Sequence, residues 1–273
     1  MGNKYYEFDD AKKLIKSFLD SQFPECGDLD EKLEKLQDFS FWDITEKEKY
    51  RNNKYYIDGD CTNLAYAIAW CLWEKDIKKS SGEDYTFEKL LDEEDFSGDT
   101  ICTWNTLFND PHVLLKIDFS GEEKKKIFEF YKLYQSIGNF YLLPNKTNGK
   151  SSLNTYRGNY YGLKDYFDLF RDALISGKNK NIEDILKENK FFSDGPKTNW
   201  EKLRDTFYLQ ATENLKFKDK HYKHSDLTDK NKSEYKEFIL DFVTQSTEMI
   251  KTRAEEIIKK LKEIEELKEF SKE

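Results

Sequence analysis

Residues Ser136-Ile137-Gly138-Asn139-Phe140-Tyr141-Leu142-Leu143-Pro144, followed by Leu153-Asn154-Thr155-Tyr156-Arg157-Gly158, interrupt a chain that is otherwise patterned as helix. Elsewhere apolar residues recur every three to four positions. Here that period stops, and a short apolar run is punctuated by glycine and closed by proline. The change predicts a strand over residues 137–144. Asn148-Gly149 is a strong turn signal, which makes residues 153–156 the candidate return strand of a small hairpin.

The helices around it follow from spacing. Residues 8–23 place Phe8, Ala11, Leu14, Ile15, Phe18 and Leu19 on one face and end before Pro24. A second helix runs through Leu29, Leu33, Leu36 and Phe39, capped by Asp28 or Asp30, and residues 41–50 open a turn and helix. Residues 62–77 are apolar on nearly every side, which predicts a central, buried helix. Phe87, Leu90 and Leu91 begin a short one.

Residues 99–108 are ambiguous between strand and capped helix. After Gly121, the residues Ile127, Phe128, Phe130, Tyr131 and Tyr134 are expected on one core-facing side. Further helices are expected from Leu163 to Leu174, around Ile182–Leu186 and from Trp200 to Leu209. Residues 191–196 read as a loop. Residues 216–232, rich in lysine and carrying His221 and His224, read as an exposed one.

From about Ser233 to Phe270 no glycine or proline breaks an apolar repeat near 3.5–3.6 residues. A single helix of that extent would be roughly 57 Å long, and its last third resembles a coiled-coil strand. The expected fold is therefore mainly α. It has a compact domain over residues 1–230, with a small β-hairpin or two- to three-stranded element near 137–158, and a long C-terminal helix over residues 231–273.

Composition bounds the function. Among 273 residues, charged side chains make up 36%, yet 21 Phe, 17 Tyr and 5 Trp supply a core, so the charge belongs to solvated helix faces. A net charge of −9 opposes bulk attraction to nucleic acid or anionic membrane, while leaving a local basic patch open. Four dispersed cysteines without a CxxC pair, no signal-like segment and no long apolar run point to a cytoplasmic chain without a membrane anchor. Lysine- and asparagine-rich usage suits a bacterial or phage source.

Metal and cofactor chemistry find little support. There is no HExxH, no zinc spacing and no GxSxG, so no metal, cofactor or catalytic residue is assigned. Thr147-Asn148-Gly149-Lys150-Ser151 imitates the end of a phosphate loop, but Pro144 stands where a glycine is required. The remaining ligand-binding candidates are Asp99, Asn139, Asn154, Arg157 and Asp165. Arg157 stands out because arginine is scarce, although a pairing with Asp165 or Asp168 that fixes the hairpin to the next helix is the favoured explanation.

The order Asp99-Thr100, Ile137-Gly138 with its run to Pro144, Asn154…Arg157-Gly158, then the 165–170 helix resembles an uncharacterised family of bacterial hypothetical proteins. The resemblance covers roughly residues 95–175, with weaker agreement around Arg253, and implies no activity. The expected function is an interaction or regulatory protein, with a defence-associated role included. It would assemble as a homo-oligomer or with a protein partner through residues 233–270. The alternative is an enzyme or sensor acting on a nucleotide or nucleic acid around Asp99, Asn154 and Arg157.

Overall fold

The structure, a computed structural model, describes residues 11–41, 59–92, 95–104, 107, 112–144, 153, 166–177, 182, 184, 186–187, 189–193, 198–217, 221–265 and 267. It is mainly α with one antiparallel pair of strands and a long C-terminal helix. The chain opens with α1 (Ala11–Gln22) and α2 (Leu29–Gln37). Asp28 caps α2 by accepting the Glu31 N–H at 2.9 Å. Next come α3 (Asn63–Ser81), capped by Thr62, and the short α4 (Phe87–Leu91), capped by Thr86. In α3, Leu64 to Ala69 are all buried, so this half is enclosed on every side, as the apolar sequence predicts. Farther along, only Trp73 and Ile77 stay fully covered, and the helix becomes one-sided.

Strand β1 (Phe96–Thr100) precedes α5 (His112–Lys116) and α6 (Gly121–Leu133). A 3-10 turn at Ile137–Asn139 then leads into strand β2 (Phe140–Pro144). The two strands pair antiparallel, from Phe96 opposite Pro144 to Thr100 opposite Phe140. The expected small two-stranded element is present, but its second strand is not the one expected at residues 153–156. The partner of β2 comes from residues 96–100, and Leu153 is helical rather than extended. All five residues of β2 are buried, so the strand needs cover on both faces. A surface hairpin would leave one face in water. The 42–50 helix and the 145–150 turn lie outside the described residues.

Beyond Tyr166 come α7 (Phe167–Ser176), closed by Gly177 in the left-handed conformation, α8 (Lys190–Ser193) and α9 (Asn199–Thr206). Helix α8 replaces part of the loop expected at 191–196, because Phe191 and Phe192 are both buried. The 216–232 segment keeps exposed residues at 216, 225 and 228–230, as expected of a loop, but among its described residues Phe217 and Tyr222 are buried and anchor it.

Helix α10 (Lys232–Lys262) has 31 residues and buries one face from Tyr235 to Leu261 against α2, α6, the Ile137–Asn139 turn and the 210–214 turn. Its last third was expected to resemble a free coiled-coil strand. Instead Ile257, Ile258 and Leu261 are buried in the chain's own core, and Lys262 reaches Glu34 beside α2 at 2.7 Å. Among the described residues no helix is long and apolar enough to cross a membrane.

Two capping boxes make the fold acid-sensitive. Ser120 and Glu123 cap α6, and Thr198 and Glu201 cap α9. The hydrogen bond from Lys236, followed by that from the Ser120 N–H, lowers the pKa of Glu123. The Thr198 N–H and hydroxyl do the same for Glu201. Carboxyls depressed in the folded state contribute stability above their unfolded value of 4.5 and lose it as pH falls through the folded one. The melting temperature is expected to hold down to about pH 5 and then decline. Glu123→Gln/Glu201→Gln should flatten that decline in a pH series of thermal melts. An unchanged acid slope would clear these two groups of the effect.

Candidate functional site

Of the five candidate ligand-binding residues, the structure describes Asp99 and Asn139. Asn154, Arg157 and Asp165 lie outside the described residues, as does the 147–151 segment. Both described residues sit at the strand pair. Gly98 lets β1 run close beside the Gly59–Cys61 turn, since a Cβ there would lie 2.1 Å from the Asp60 carbonyl oxygen. The Gly98 N–H donates to the Tyr66 hydroxyl at 3.0 Å. Asp99 then falls opposite Tyr141, whose hydroxyl donates to Oδ2 at 2.9 Å, while Oδ1 accepts the Thr100 N–H at 2.8 Å.

Asn139 is fully buried, and its amide is used on both ends. Nδ2 donates to the carbonyls of Cys102 (2.7 Å) and Tyr134 (2.6 Å), and Oδ1 accepts the Cys102 N–H at 2.9 Å. Its own carbonyl accepts the Ile101 N–H at 2.9 Å. These bonds satisfy backbone groups that would otherwise be buried without partners. Asn139 therefore knits the turn before β2 to the end of β1.

Arg253 dominates the same turn from the other side and was missed as a key residue. It is fully buried in α10, in the apolar row that holds Met249, Ile250, Ala254 and Ile257. Nη1 donates to the Gly138 carbonyl at 2.9 Å and the Ile137 carbonyl at 3.4 Å. Nη2 donates to Phe207 O at 2.9 Å, and Nε to Tyr208 O at 3.0 Å. Burial pushes its pKa down to about 9, which still leaves it charged at neutral pH. Its position in a helical row of buried residues was the available sequence signal.

The other two described arginines grip the next residues of that segment. Arg171 Nη1 donates to the carbonyls of Thr212 (2.8 Å) and Leu215 (3.1 Å), and Arg204 pairs with Glu213 at 2.8 Å. All three described arginines thus contact one stretch, 207–215, whose Tyr208 has a positive φ of 53°. The planar fork suits several convergent carbonyls better than an ammonium does.

A histidine–carboxylate pair is the chemistry that the sequence reading missed. His221 Nε2 lies 2.9 Å from Asp168 Oδ2, and Asp168 Oδ1 accepts the Leu169 N–H at 2.9 Å in the first turn of α7. The imidazole packs edge-on to Tyr166, with centroids 4.8 Å apart, and lies near Phe217 and Phe238. The carboxylate fixes the ring's orientation. The partner lies 53 residues away in sequence, so no local pattern announces it. Among the described residues no group of three or more His, Cys, Asp or Glu side chains is arranged to hold a metal ion.

The outer face of α6 is a different kind of surface. Its core side is Ile127, Phe130 and Leu133, whereas Phe128 and Tyr131, expected inward, are 56% and 42% exposed. Their rings lie nearly parallel, 18° apart with centroids at 6.3 Å, and Trp104 meets Tyr131 edge-on at 5.0 Å. The three glutamates of α6 each have a lysine: Glu122 with Lys125, Glu123 with Lys236, and Glu129 with Lys251. Lys124, Lys126 and Lys132 have no carboxylate partner among the described residues, and Lys132 Nζ sits 4.7 Å above the Phe128 ring. Compared with family models, curated proteins and solved structures, the chain matches none of them.

Proposed function

We propose that the protein is a bacterial or phage interaction or regulatory component, working in the cytoplasm, that presents a rigid helical face to a partner macromolecule. One observation carries this reading: α6 exposes Phe128 and Tyr131 while its opposite side is locked into the core. Exposed aromatic rings grouped on an anchored element are a common mark of a binding surface. The two described candidates at the strand pair, by contrast, are engaged in bracing: Asn139 bonds through both ends of its amide, and Asp99 is tied to Tyr141 and Thr100. We therefore assign the binding face to α6, with α10 packed behind it as its support.

A photo-crosslinking amino acid at position 128 of the full chain tests this in cells of the native host. Irradiation is expected to give a discrete adduct at 128 and none at position 13, an exposed site on α1. Equal or absent adducts at both positions would remove α6 as the binding face.

A further inference from the structure

We infer that the ligand of the α6 face is single-stranded nucleic acid, an inference that rests on the reading of α6 as the binding face. The argument begins with charge. On a chain of net −9, a polyanion is repelled by the surface as a whole and can settle only where lysines outnumber available carboxylates. The outer side of α6 is such a place, because the glutamates of the helix are already paired and Lys124 and Lys132 are not. At about 0.1 M salt the Debye length is about 10 Å, so distant acidic residues are screened while contacts on this helix persist.

Geometry supplies the rest. Lys124, Phe128, Tyr131 and Lys132 stand at i, i+4, i+7 and i+8, on one stripe of the helix. The stripe alternates cation, ring, ring, cation, and its two rings are nearly parallel. Bases stack on such rings irrespective of sequence, and the flanking ammonium groups meet the phosphates on either side. Patch size separates this ligand from a protein. A stable protein interface needs about 800 Å² per partner, drawn from some 20–30 residues, whereas two exposed rings and two lysines suit one or two nucleotides. A duplex hides its base faces and would meet only the lysines.

The test is fluorescence anisotropy of a labelled 20-nucleotide single-stranded DNA titrated with the full chain at about 0.05–0.2 M salt. Binding is expected in the range of tens of micromolar, weakening as salt rises. Phe128→Ala/Tyr131→Ala should weaken it at least about fivefold, with little effect on the corresponding duplex. Lys124→Glu/Lys132→Glu should weaken it about tenfold or more and lower the salt slope by about 1.4, at about 0.7 per lost phosphate contact. Lys13→Glu/Lys79→Glu, with the same change of net charge elsewhere, should stay within about twofold of wild type. All the substituted side chains are exposed, and thermal melts of each variant confirm that it folds.

No anisotropy change with the wild-type chain at the lowest salt overturns the inference. Equal loss in the control charge variant, or none in either α6 variant, overturns its placement. The crosslink at position 128 keeps the two levels apart. A nuclease-sensitive adduct supports the nucleic-acid inference, and a protein adduct without oligonucleotide binding removes it while leaving α6 as the binding face. Absence of any adduct removes the reading beneath both.

Discussion

Arg253→Ala is expected to cost about 4 kcal/mol of global stability and to lower the melting temperature by roughly 8–16 °C. The side chain is completely buried and is the donor to the carbonyls of Ile137, Gly138, Phe207 and Tyr208. Truncation orphans these acceptors at about 1–3 kcal/mol each where relaxation cannot satisfy them, and it adds a cavity. Removing a buried charge refunds some desolvation, so the sum falls well short of four full penalties. Arg253→Met fills the space but supplies no donor, and should lie between wild type and Arg253→Ala. Arg253→Lys keeps a charge without the fork and should also fall short. Chemical denaturation of the three variants measures the series. An Arg253→Ala midpoint within error of wild type would mean that the turn and the 207–208 segment hold together without it.

Gly138→Ala should be at least as damaging, for a different reason. A Cβ at position 138 would sit 2.0 Å from the Ile250 carbonyl oxygen, 2.9 Å from the Ala254 Cβ and 3.0 Å from the Ala254 nitrogen. Two of these are backbone atoms in the middle of α10, so no side chain can swing aside to make room. The helix would have to move away from β2, taking Arg253 out of reach of the carbonyls it serves. Loss of a soluble folded product, or a loss of more than about 4 kcal/mol, is the expected outcome. Gly121→Ala is the control. Nothing lies within 4 Å of its added Cβ, so the gain in helix propensity should leave stability unchanged or up to about 1 kcal/mol higher. If both alanine variants melt alike, the seam between the turn and α10 is looser than these distances indicate. Because both sites share the Gly138 carbonyl, Gly138→Ala and Arg253→Ala should combine less than additively.

Elements whose partners are close in sequence, or whose caps are local, were legible. Spacing located α3, α6 and α9, and Asp28, one of two candidate caps, helped to locate α2, because a cap bonds a neighbour two or three residues away. What escaped depends on distant pairings. The partner of β2 lies some forty residues upstream, and Gly98 in its middle weakens the strand signal while enabling the close approach to Asp60. The last third of α10 looked unpartnered because α2, which covers it, lies at the other end of the chain. Phe128 and Tyr131 were misassigned because five apolar positions span a wider arc than α10 and its neighbours cover; the buried row runs through 127, 130, 133 and 134.

The candidate site was less legible still. Asp99 and Asn139 were found at a true junction, but as its fasteners. Asp168 and His221 belong to segments that have no sequence relation to each other. Arg253 carries a charge in an apolar row, a conflict that only a set of convergent carbonyls resolves. The opening Ile-Gly pair thus marks where two pieces of backbone touch.

The order of the elements has a consequence for synthesis. Helix α10 follows every element it covers, and it touches α2, α6, the turn before β2 and the 210–214 turn. At about 5–20 residues per second, the apolar faces of those earlier elements wait for many seconds after they leave the ribosome before their common lid exists. These earlier elements therefore cannot complete their packing until α10 has emerged. During that interval Phe140 to Leu143, later wholly enclosed, is the stretch that a holding chaperone would meet.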